Sequence, residues 1–256
     1  MTTVTTRMDG PVAHVRLDGP QRRNALDLAA MRRLADALHR VTTDPAVGAV
    51  VISGAGGAFC AGADLDPDVP VGSDPNGDAA MMAAVDRVIR GIVHAPVPVL
   101  AAVEGAAAGV GASIAFACDL VVAARTAFFL LPFTGIGLLP DGGATLTVAA
   151  AAGRARAMRL ALRGERLPAT EALAVGLIAE VSDETDRTVA EWAAALAAGP
   201  RAAQAATKAA INAATVPGLD AALARETREQ LPLLSSADYR EGVTAFLERR
   251  RPASGS

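Results

Sequence analysis

Two short segments rich in small residues contain the positions best suited to chemistry. The first is residues 59–65 (Phe-Cys-Ala-Gly-Ala-Asp-Leu), and the second is residues 103–119, with Gly-Val-Gly at 109–111. Both follow apolar runs, and their small side chains allow backbone N–H groups to approach a ligand closely. Two preorganised backbone donors can stabilise a developing oxyanion without a charged side chain. The sequence therefore predicts a site in which main-chain N–H groups could bind an anionic oxygen.

The second segment also predicts a helix that begins at one of these donors. Gly109, Val110 and Gly111 stand where an apolar helical run begins, and the first N–H groups of a helix have no intrahelical acceptor. The positive end of the helix dipole adds to the attraction for an anion. Glycines and alanines here are equally typical of close helix packing, so the interpretation depends on both segments together.

Composition limits the classes of protein to consider. The chain has 256 residues, of which 52% are hydrophobic, and a formal net charge of −3. These values predict one large domain, alone or with a small appendage, and no positive field for nucleic acid or an acidic membrane. Charged and amide residues interrupt the alanine-rich stretches before the roughly 18 apolar residues that a membrane span needs. The amino terminus lacks the pattern of a secretory signal, so we expect a cytoplasmic protein with no nucleic-acid or membrane partner.

Cysteine and histidine usage predicts neither a disulfide framework nor a metal site. Cys60 and Cys118 are the only cysteines, one in each small-residue segment, and they form no CxxC spacing. His14, His39 and His94 are scattered along the chain. We interpret both cysteines as small buried hydrophobic residues.

Alternating strand and helix patterns predict a parallel sheet with crossover helices. A strand follows a turn at Asp9-Gly10, and Asp27 is placed to cap the next helix. Beyond Ala144 the pattern is wholly helical. The expected strands are 12–17, 47–53, 97–103 and 120–123, and the expected helices are 28–41, 79–92, one from about 110, 190–198, 202–215, 219–231 and 237–248.

One segment is strongly loop-like. Residues 66–77 combine aspartate, proline and glycine, a composition that predicts a loop. Because this segment directly follows the first small-residue segment, it is either a lid over the predicted site or an ordinary surface loop.

The two segments, at their spacing, resemble the two halves of the oxyanion hole in the crotonase (enoyl-CoA hydratase/isomerase) superfamily. Residues 22–26 (Arg-Arg-Asn-Ala-Leu), 164–172, 175–178 and 245–251 also resemble landmarks of that family, so the resemblance covers most of the chain. It implies an α/β fold, with a crotonase-like ββα spiral core over residues 1–190 and a C-terminal helical trimerisation region over residues 191–256. It further implies a homotrimer or a hexamer made of two trimers.

The resemblance also implies which residues bind an acyl-CoA substrate. The N–H groups of Ala63 and Val110 match the two oxyanion donors of the family, and valine keeps the amide while narrowing the space beside it. Arg22 or Arg23 would meet a phosphate, although each alone is more typical of a solvated surface charge. A coenzyme A thioester is implied as substrate, with no permanently bound cofactor. The candidate coenzyme A contacts are Arg22, Ala25, Leu26, Ala61, Asp64 and Leu65.

Two departures from the hydratases of the family bear on the reaction. Ser113 and Phe133 stand where those hydratases carry two catalytic glutamates, one that activates water and one that protonates the α carbon. Serine has no pKa suited to general-base work, and phenylalanine has no proton to exchange. The sequence therefore predicts an atypical member that lacks concerted hydration by a glutamate pair.

One carboxylate remains in a position typical of the isomerases of the family. Asp141, within Leu-Pro-Asp-Gly-Gly, aligns with the carboxylate that moves a proton in family members acting on dienoyl or ring-derived thioesters. Desolvation beside Phe129, Phe133 and Leu138 would raise its pKa toward neutrality. An aspartate before Gly-Gly is equally typical of a helix N-cap. Glu104 is the fallback base.

Two functions from different classes remain open. The first is an enoyl-CoA isomerase or atypical hydratase that polarises a thioester at Ala63 and Val110 and shifts a proton with Asp141. The second is a non-catalytic acyl-CoA binding protein that keeps the two loops for ligand binding and has lost its catalytic activity. A scaffold without a ligand predicts decay of both loops, and both are intact.

Overall fold

The fold is built on two β-sheets, as seen in a computed structural model that describes residues 1–65 and 74–253. The strands are β1 (Thr3–Asp9), β2 (Val12–Asp18), β3 (Ala49–Gly54), β4 (Val99–Val103), β5 (Ala106–Ala108), β6 (Leu120–Ala124), β7 (Phe128–Leu130), β8 (Leu167–Pro168) and β9 (Glu180–Ser182). The main sheet has the order β1-β2-β3-β4-β6-β9, and the second has the order β5-β7-β8. β1 and β2 form an antiparallel hairpin, and the other neighbours in the main sheet run parallel. The predicted α/β fold is confirmed.

The helices follow the strands as crossovers and then as a carboxy-terminal group. They are α1 (Leu28–Thr43), α2 (Pro75–Val93), α3 (Val110–Ala117), α4 (Ala144–Ala152), α5 (Arg154–Arg163), α6 (Ala169–Ala174), α7 (Thr185–Ala197), α8 (Arg201–Thr215), α9 (Leu219–Leu234) and α10 (Ala237–Leu247). The predicted cap is confirmed, because the Asp27 carboxylate accepts a hydrogen bond from the Ala30 N–H at 2.7 Å. Within the described ranges, no helix is long and apolar enough to cross a membrane.

Helices cover both faces of the main sheet. Val15 and Ile52 point to one face, where they share a buried cluster with residues of α1 and α2. Val51 points to the opposite face, where it packs with Val189 and Ala193 of α7. Side chains alternate between faces along a strand, and a strand buried on both faces becomes a continuous apolar run. This explains the uninterrupted apolar sequence of β4, in which every residue is buried.

The prediction of a wholly helical chain beyond Ala144 is wrong. β8 pairs antiparallel with β7, and β9 joins the edge of the main sheet beside β6, with Glu180 opposite Val122. These strands have two and three residues. Such strands are too short for a period-two pattern, and only pairing with a distant strand defines them.

The loop predicted over residues 66–77 ends earlier than expected. Pro75 begins α2, and the Asp74 carboxylate caps it by accepting a hydrogen bond from the Gly77 N–H at 2.9 Å. Proline suits the first position of a helix because its missing N–H would have no helical partner there. Residues 66–73, and with them the lid hypothesis, lie outside the described residues.

The sequence-based division after residue 190 falls inside α7. The buried side chains of this helix, Val189 and Ala193 among them, pack on the main sheet. The division into residues 1–190 and 191–256 stays a proposal, and a boundary after α7 would keep this helix with its sheet.

A partly buried ion pair attaches α8 to the sheet. The Lys208 ammonium lies 2.7 Å from the Asp119 carboxylate and donates hydrogen bonds to the Ile92 and Val97 carbonyls at 2.7 and 3.2 Å. Asp119 also accepts from the Val99 N–H at 2.7 Å. This interaction connects α8 to the end of α2 and to the start of β4.

We expect Lys208→Met to lower the free energy of unfolding by about 3 kcal/mol, because it leaves a desolvated Asp119 carboxylate without its cation. Urea unfolding followed by circular dichroism measures the change. Arg187→Gln is the matched control, since Arg187 pairs with Glu184 and Glu191 but its side chain is 68% exposed, and such pairs contribute about 0–1 kcal/mol. Equal losses in the two variants would contradict a structural role for the Lys208 pair.

Candidate active site

The two small-residue segments meet through their backbones. Cys60 and Ala107 form a parallel bridge, in which the Cys60 N–H donates to Ala106 O at 3.0 Å and the Ala108 N–H donates to Cys60 O at 2.9 Å. Just beyond this bridge Gly62 and Gly109 touch: a Cβ atom on Gly62 would lie 2.9 Å from the Ala108 carbonyl oxygen, and one on Gly109 would lie 3.6 Å from Gly62 Cα. Both glycines also have positive φ, 102° and 55°, so this approach requires glycine.

The residues after these glycines carry the two predicted donors. Leu26 and Ala63 form a bridge in which the Leu26 N–H donates to Gly62 O and the Asp64 N–H donates to Leu26 O. Successive N–H groups of an extended chain point to opposite sides, so the Ala63 N–H faces away from Leu26. Val110 is the first residue of α3, and its N–H has no intrahelical acceptor. Among residues 1–65 and 74–253, neither N–H has a hydrogen-bond acceptor.

Ser113 connects the second donor loop to Asp141. Its hydroxyl donates to the Asp141 carbonyl oxygen at 2.7 Å and lies 3.4 Å from the Gly109 carbonyl oxygen. The Phe133 ring approaches the same loop, with its Cζ atom 4.0 Å from where a Cβ of Gly109 would be. Ser113 and Phe133, the two positions that the sequence analysis expects to depart from the hydratase pattern, therefore both lie at the second donor loop.

The Asp141 side chain does not cap a helix. α4 begins at Ala144 with Gly143 as its N-cap, and the Asp141 carboxylate accepts no hydrogen bond from the N–H groups of its first turn. Asp141 is 8% exposed, and its Oδ2 accepts a hydrogen bond from Gln230 Nε2 at 3.1 Å. Oδ1 is buried and has no hydrogen-bond partner in the described part of the chain. The N-cap interpretation of this side chain is thus wrong.

Burial changes the acidity of Asp141. Desolvation raises the pKa of this carboxyl to about 7, the hydrogen bond from Gln230 opposes the rise, and the nearby Glu226 and Asp86 carboxylates add to it. The direction agrees with the sequence-based expectation. A carboxyl with a pKa near neutrality can both accept and return a proton near pH 7.

Comparison with known proteins identifies the family. The family model described as enoyl-CoA hydratase/isomerase matches residues 7–255. The chain belongs to the enoyl-CoA hydratase/isomerase family. Its crotonase fold is shared with the crystal structure of an enoyl-CoA hydratase from Mycobacterium avium subsp. paratuberculosis K-10, at 45% identity and a TM-score of 0.91 over 99% of this chain and 98% of that one.

Two curated relatives place this family member among enzymes. A protein named probable enoyl-CoA hydratase, from Rhodobacter capsulatus, is 43% identical over 98% of this chain and 96% of its own length. The 1,2-epoxyphenylacetyl-CoA isomerase of Escherichia coli strain K12 is 39% identical over 98% of both chains. The protein is therefore an acyl-CoA enzyme of the hydratase/isomerase family.

The coenzyme A candidates of this family member lie on two backbone segments, residues 22–26 and 61–65, that pair with each other. The Arg22 guanidinium pairs with the Asp64 carboxylate and donates to the Leu65 carbonyl at 3.0 Å. The Ala61 N–H donates to Arg23 O at 2.9 Å. Ala25 is 7% exposed and Leu26 is fully buried, so Leu26 offers no side-chain surface to a ligand. Arg22 is thus already engaged by a carboxylate next to the donor loop.

Asn24 organises the first donor loop, a role that the sequence reasoning missed. This fully buried residue has a positive φ of 58°. Its amide nitrogen lies 2.9, 2.8 and 3.3 Å from the carbonyl oxygens of Ala55, Ala58 and Phe59, and its oxygen accepts from the Gly19 N–H at 2.9 Å. The signal in the sequence was an asparagine between arginines and an apolar pair, which also suits a surface turn.

Sequence reasoning also missed Glu226 and Gln230 of α9. Both are 1% exposed. The Glu226 carboxylate accepts from the Gly143 N–H at 2.7 Å and from the Thr145 N–H and hydroxyl, so it satisfies the start of α4 from another helix. The signal available was spacing: positions 219, 223, 226 and 230 form one helical stripe, in which two apolar residues are followed by two polar ones.

The two cysteines and Glu104, the remaining candidates from the sequence, lie in environments that give them no catalytic contact among the described residues. Cys60 and Cys118 are buried as expected, and burial raises the pKa of the Cys60 thiol to about 12. Glu104 follows β4 and is only half-buried, and its side chain makes no hydrogen bond to a described residue. No group of three metal-ligating side chains occurs among the described residues.

We expect Asn24→Ala to lower the free energy of unfolding by about 3 kcal/mol, because it leaves several buried backbone groups without partners. Alanine also tolerates positive φ less well than asparagine. The affinity for acyl-CoA should fall with it, since Asn24 holds the carbonyl groups that lead into the first donor loop. Urea unfolding and calorimetry measure the two effects. The control is Asn76→Ala, at an exposed position in the first turn of α2, which should change the unfolding free energy by no more than about 0.5 kcal/mol. If Asn24→Ala lowered the unfolding free energy no more than this control, Asn24 would not organise the loop.

Proposed function

We propose that this enzyme is an acyl-CoA isomerase in which Asp141 moves a proton along the acyl chain. The observation that supports this most directly is the buried Asp141 carboxylate, whose Oδ1 has no partner among the described residues and whose backbone is joined through Ser113 to the loop that carries the Val110 N–H. In this proposal the N–H groups of Ala63 and Val110 form an oxyanion hole for the thioester oxygen.

The proposed reaction needs only one carboxylate. The ionised Asp141 removes a proton from the α carbon of a 3-enoyl thioester, and the electron pair moves onto the thioester oxygen as a dienolate. The two N–H groups stabilise that negative charge. Asp141, now protonated, returns the proton at the γ carbon, and the double bond moves into conjugation with the thioester. Atoms and electrons balance without a co-reactant, and a coenzyme A thioester is the substrate.

Hydration is the less favoured reaction for this site. The Ser113 hydroxyl donates its proton to the Asp141 carbonyl at 2.7 Å, so it does not activate a water molecule. Phe133 supplies no ionisable group. The proposal that this chain is an atypical member lacking both hydratase glutamates depends on these two positions.

The comparisons and the chemistry together support a substrate class for this proposal. A relative that is 39% identical is named 1,2-epoxyphenylacetyl-CoA isomerase, which supports isomerisation of a ring-derived thioester as one case to test beside 3-enoyl-CoA. We propose coenzyme A contacts at Arg22, Ala25, Leu26, Ala61, Asp64 and Leu65, mostly through main-chain atoms.

We expect Asp141→Asn to lower kcat by about 10³-fold or more, because general acid–base catalysis by one positioned group contributes about 10²–10⁴. Binding of a saturated acyl-CoA should stay within about threefold of wild type, and the bound thioester carbonyl should keep a lowered infrared stretching frequency. Turnover is measured with 3-enoyl-CoA, 1,2-epoxyphenylacetyl-CoA and crotonyl-CoA. Asp183→Asn is the control, because Asp183 is an exposed partner of Arg125.

The outcomes separate the proposed functions. Activity retained in Asp141→Asn would eliminate the proton-shuttle role, and hydration of crotonyl-CoA by the wild type would eliminate the argument from Ser113 and Phe133. Tight binding without turnover of any substrate would favour a non-catalytic acyl-CoA binding protein.

The raised pKa of Asp141 also sets the pH dependence. The base must be ionised, so kcat/KM should fall as the pH drops below about 7. The stability of the fold depends on pH in the opposite direction. Asp141 keeps its proton to a higher pH in the folded state than in the unfolded chain. The stabilisation from this bound proton is therefore present at low pH and is lost as the pH rises through about 7. Asp141→Asn should therefore gain at least about 1 kcal/mol of unfolding free energy at pH 8, while becoming inactive.

We propose that the enzyme assembles as a homotrimer or a dimer of trimers through its C-terminal helices. α8 has no buried residue, and its Ile211 is 56% exposed. Beside α8 lies an open groove of about 550 Å³ that includes the end of α2. A partner chain on this surface would remove exposed apolar area from water.

Sedimentation equilibrium should give three or six times the chain mass. Ile211→Glu should lower that mass, because it places a charge in the proposed interface. Met8→Glu, on the exposed β1 strand, should leave it unchanged. A monomeric wild type would contradict the assembly.

A further inference from the structure

Every hydrogen bond that the Gln230 side chain makes to a described residue goes to the segment that contains Asp141. Its Oε1 accepts a hydrogen bond from the Leu139 N–H at 3.0 Å, and its Nε2 donates to Leu139 O at 2.9 Å and to Asp141 Oδ2 at 3.1 Å. An amide nitrogen has two hydrogens, so both are used here. The residue is 1% exposed, and water does not compete for these bonds.

These contacts make the two oxygens of the Asp141 carboxyl different. Gln230 occupies Oδ2, while Oδ1 is buried with no hydrogen-bond partner in the described residues. A donor fixed on one oxygen resists rotation of the carboxyl group, and it favours the ionised form by hydrogen bonding without adding charge. Oδ1 is left as the oxygen able to take and return a proton.

Glu226 provides an internal comparison one turn earlier on α9. It holds Gly143 and Thr145 of the same segment and makes no hydrogen bond to the Asp141 carboxyl. Its charge acts on Asp141 in the direction opposite to the Gln230 hydrogen bond. One helix therefore carries two buried polar residues that support the same loop and have opposite electrostatic effects on its carboxyl.

We propose that Gln230 is a positioning residue, which orients the Asp141 carboxyl so that Oδ1 faces the acyl chain and keeps it ionised for proton removal. This inference rests on the proposed isomerase function. It assigns part of the active site to α9, a helix of the carboxy-terminal group.

The test compares Gln230→Met with Gln230→Glu. Gln230→Met keeps the length of the side chain and removes its hydrogen bonds, and we expect kcat to fall at least about 30-fold with KM within about threefold. Gln230→Glu keeps the shape but places a second carboxyl beside Oδ2. Two carboxyls at this distance resist joint ionisation, so the acid limb of kcat/KM should move up by more than about one pH unit.

Two controls separate positioning from loss of structure. Glu226→Gln should leave the acid limb in place or move it to lower pH, although it loosens the same loop. Glu229→Gln, at an exposed position on α9, should match wild type. If Gln230 has only a structural role, kcat and KM should change together with the melting temperature, and the acid limb should not move. That result would overturn the proposal. A wild-type kcat in Gln230→Met would overturn it as well.

A readout without turnover keeps this test distinct from that of the proposed function. Aspartate labelled with ¹³C at its carboxyl carbon reports the pKa of Asp141 by NMR, with Asp141→Asn assigning the signal. A rise of more than about one pH unit in Gln230→Glu supports the contact, even if the wild type turns over none of the tested thioesters. An unchanged titration in both Gln230 variants overturns it, whatever the activity.

Discussion

The site depends on the contact between the backbones of Gly62 and Gly109. Two loops separated by more than forty residues approach until a Cβ on Gly62 would lie 2.9 Å from the carbonyl oxygen of Ala108. The short bridge between Cys60 and Ala107 sets their register. Because each donor directly follows one of these glycines, the contact that places one N–H also places the other. The parallel strands β3 and β4 bring both loops to the same edge of the sheet.

This arrangement explains why the surrounding residues are so small and so buried. A Cβ on Gly111 would lie 2.5 Å from Cys60 O, so the start of α3 packs directly on the first loop. Asn24 holds three carbonyl groups that precede that loop. Their hydrogen-bonding needs are met inside the protein, so the loops keep their shape although neither donor N–H has an acceptor among residues 1–65 and 74–253.

The ionised Asp141 carboxyl lowers the stability of the folded protein. The carboxyl is desolvated and receives one hydrogen bond from the described residues, and the nearby Glu226 and Asp86 carboxylates make ionisation harder still. A group of this kind opposes stability above neutral pH, and residues that lower stability cluster where function requires them. Among the described residues, the carboxyl receives its hydrogen bond from a neutral group, Gln230 on α9, and no cation pairs with it, while Ser113 on α3 holds the backbone carbonyl of Asp141. A cation beside Asp141 would keep the carboxyl ionised and hold its pKa below the range useful for returning a proton.

Much of the fold was predictable because it is encoded locally. Patterns within about twenty residues predict β2, the Asp27 cap and the last four helices, and the structure confirms them. β8 and β9 were missed because strands of two and three residues are defined by their partners. The start of α3 at the second donor loop was predictable because glycine followed by an apolar helical run is a local signal.

By itself, the sequence determined which residues are candidates for chemistry: the two glycine loops, Ser113 and Phe133 at the positions expected to depart from the hydratase pattern, and the carboxylate of Asp141. Only the tertiary structure decided what Asp141 does with its side chain. A local pattern of aspartate before two glycines is compatible with a helix cap, and the carboxyl instead meets Gln230, 89 positions away in the sequence. Asn24, Glu226 and Gln230 likewise acquire their roles from partners that the chain brings together only on folding. Hydrogen bonds between segments far apart in the sequence produce no periodic pattern of residues. They form only when folding brings the segments together, so the local sequence does not predict them.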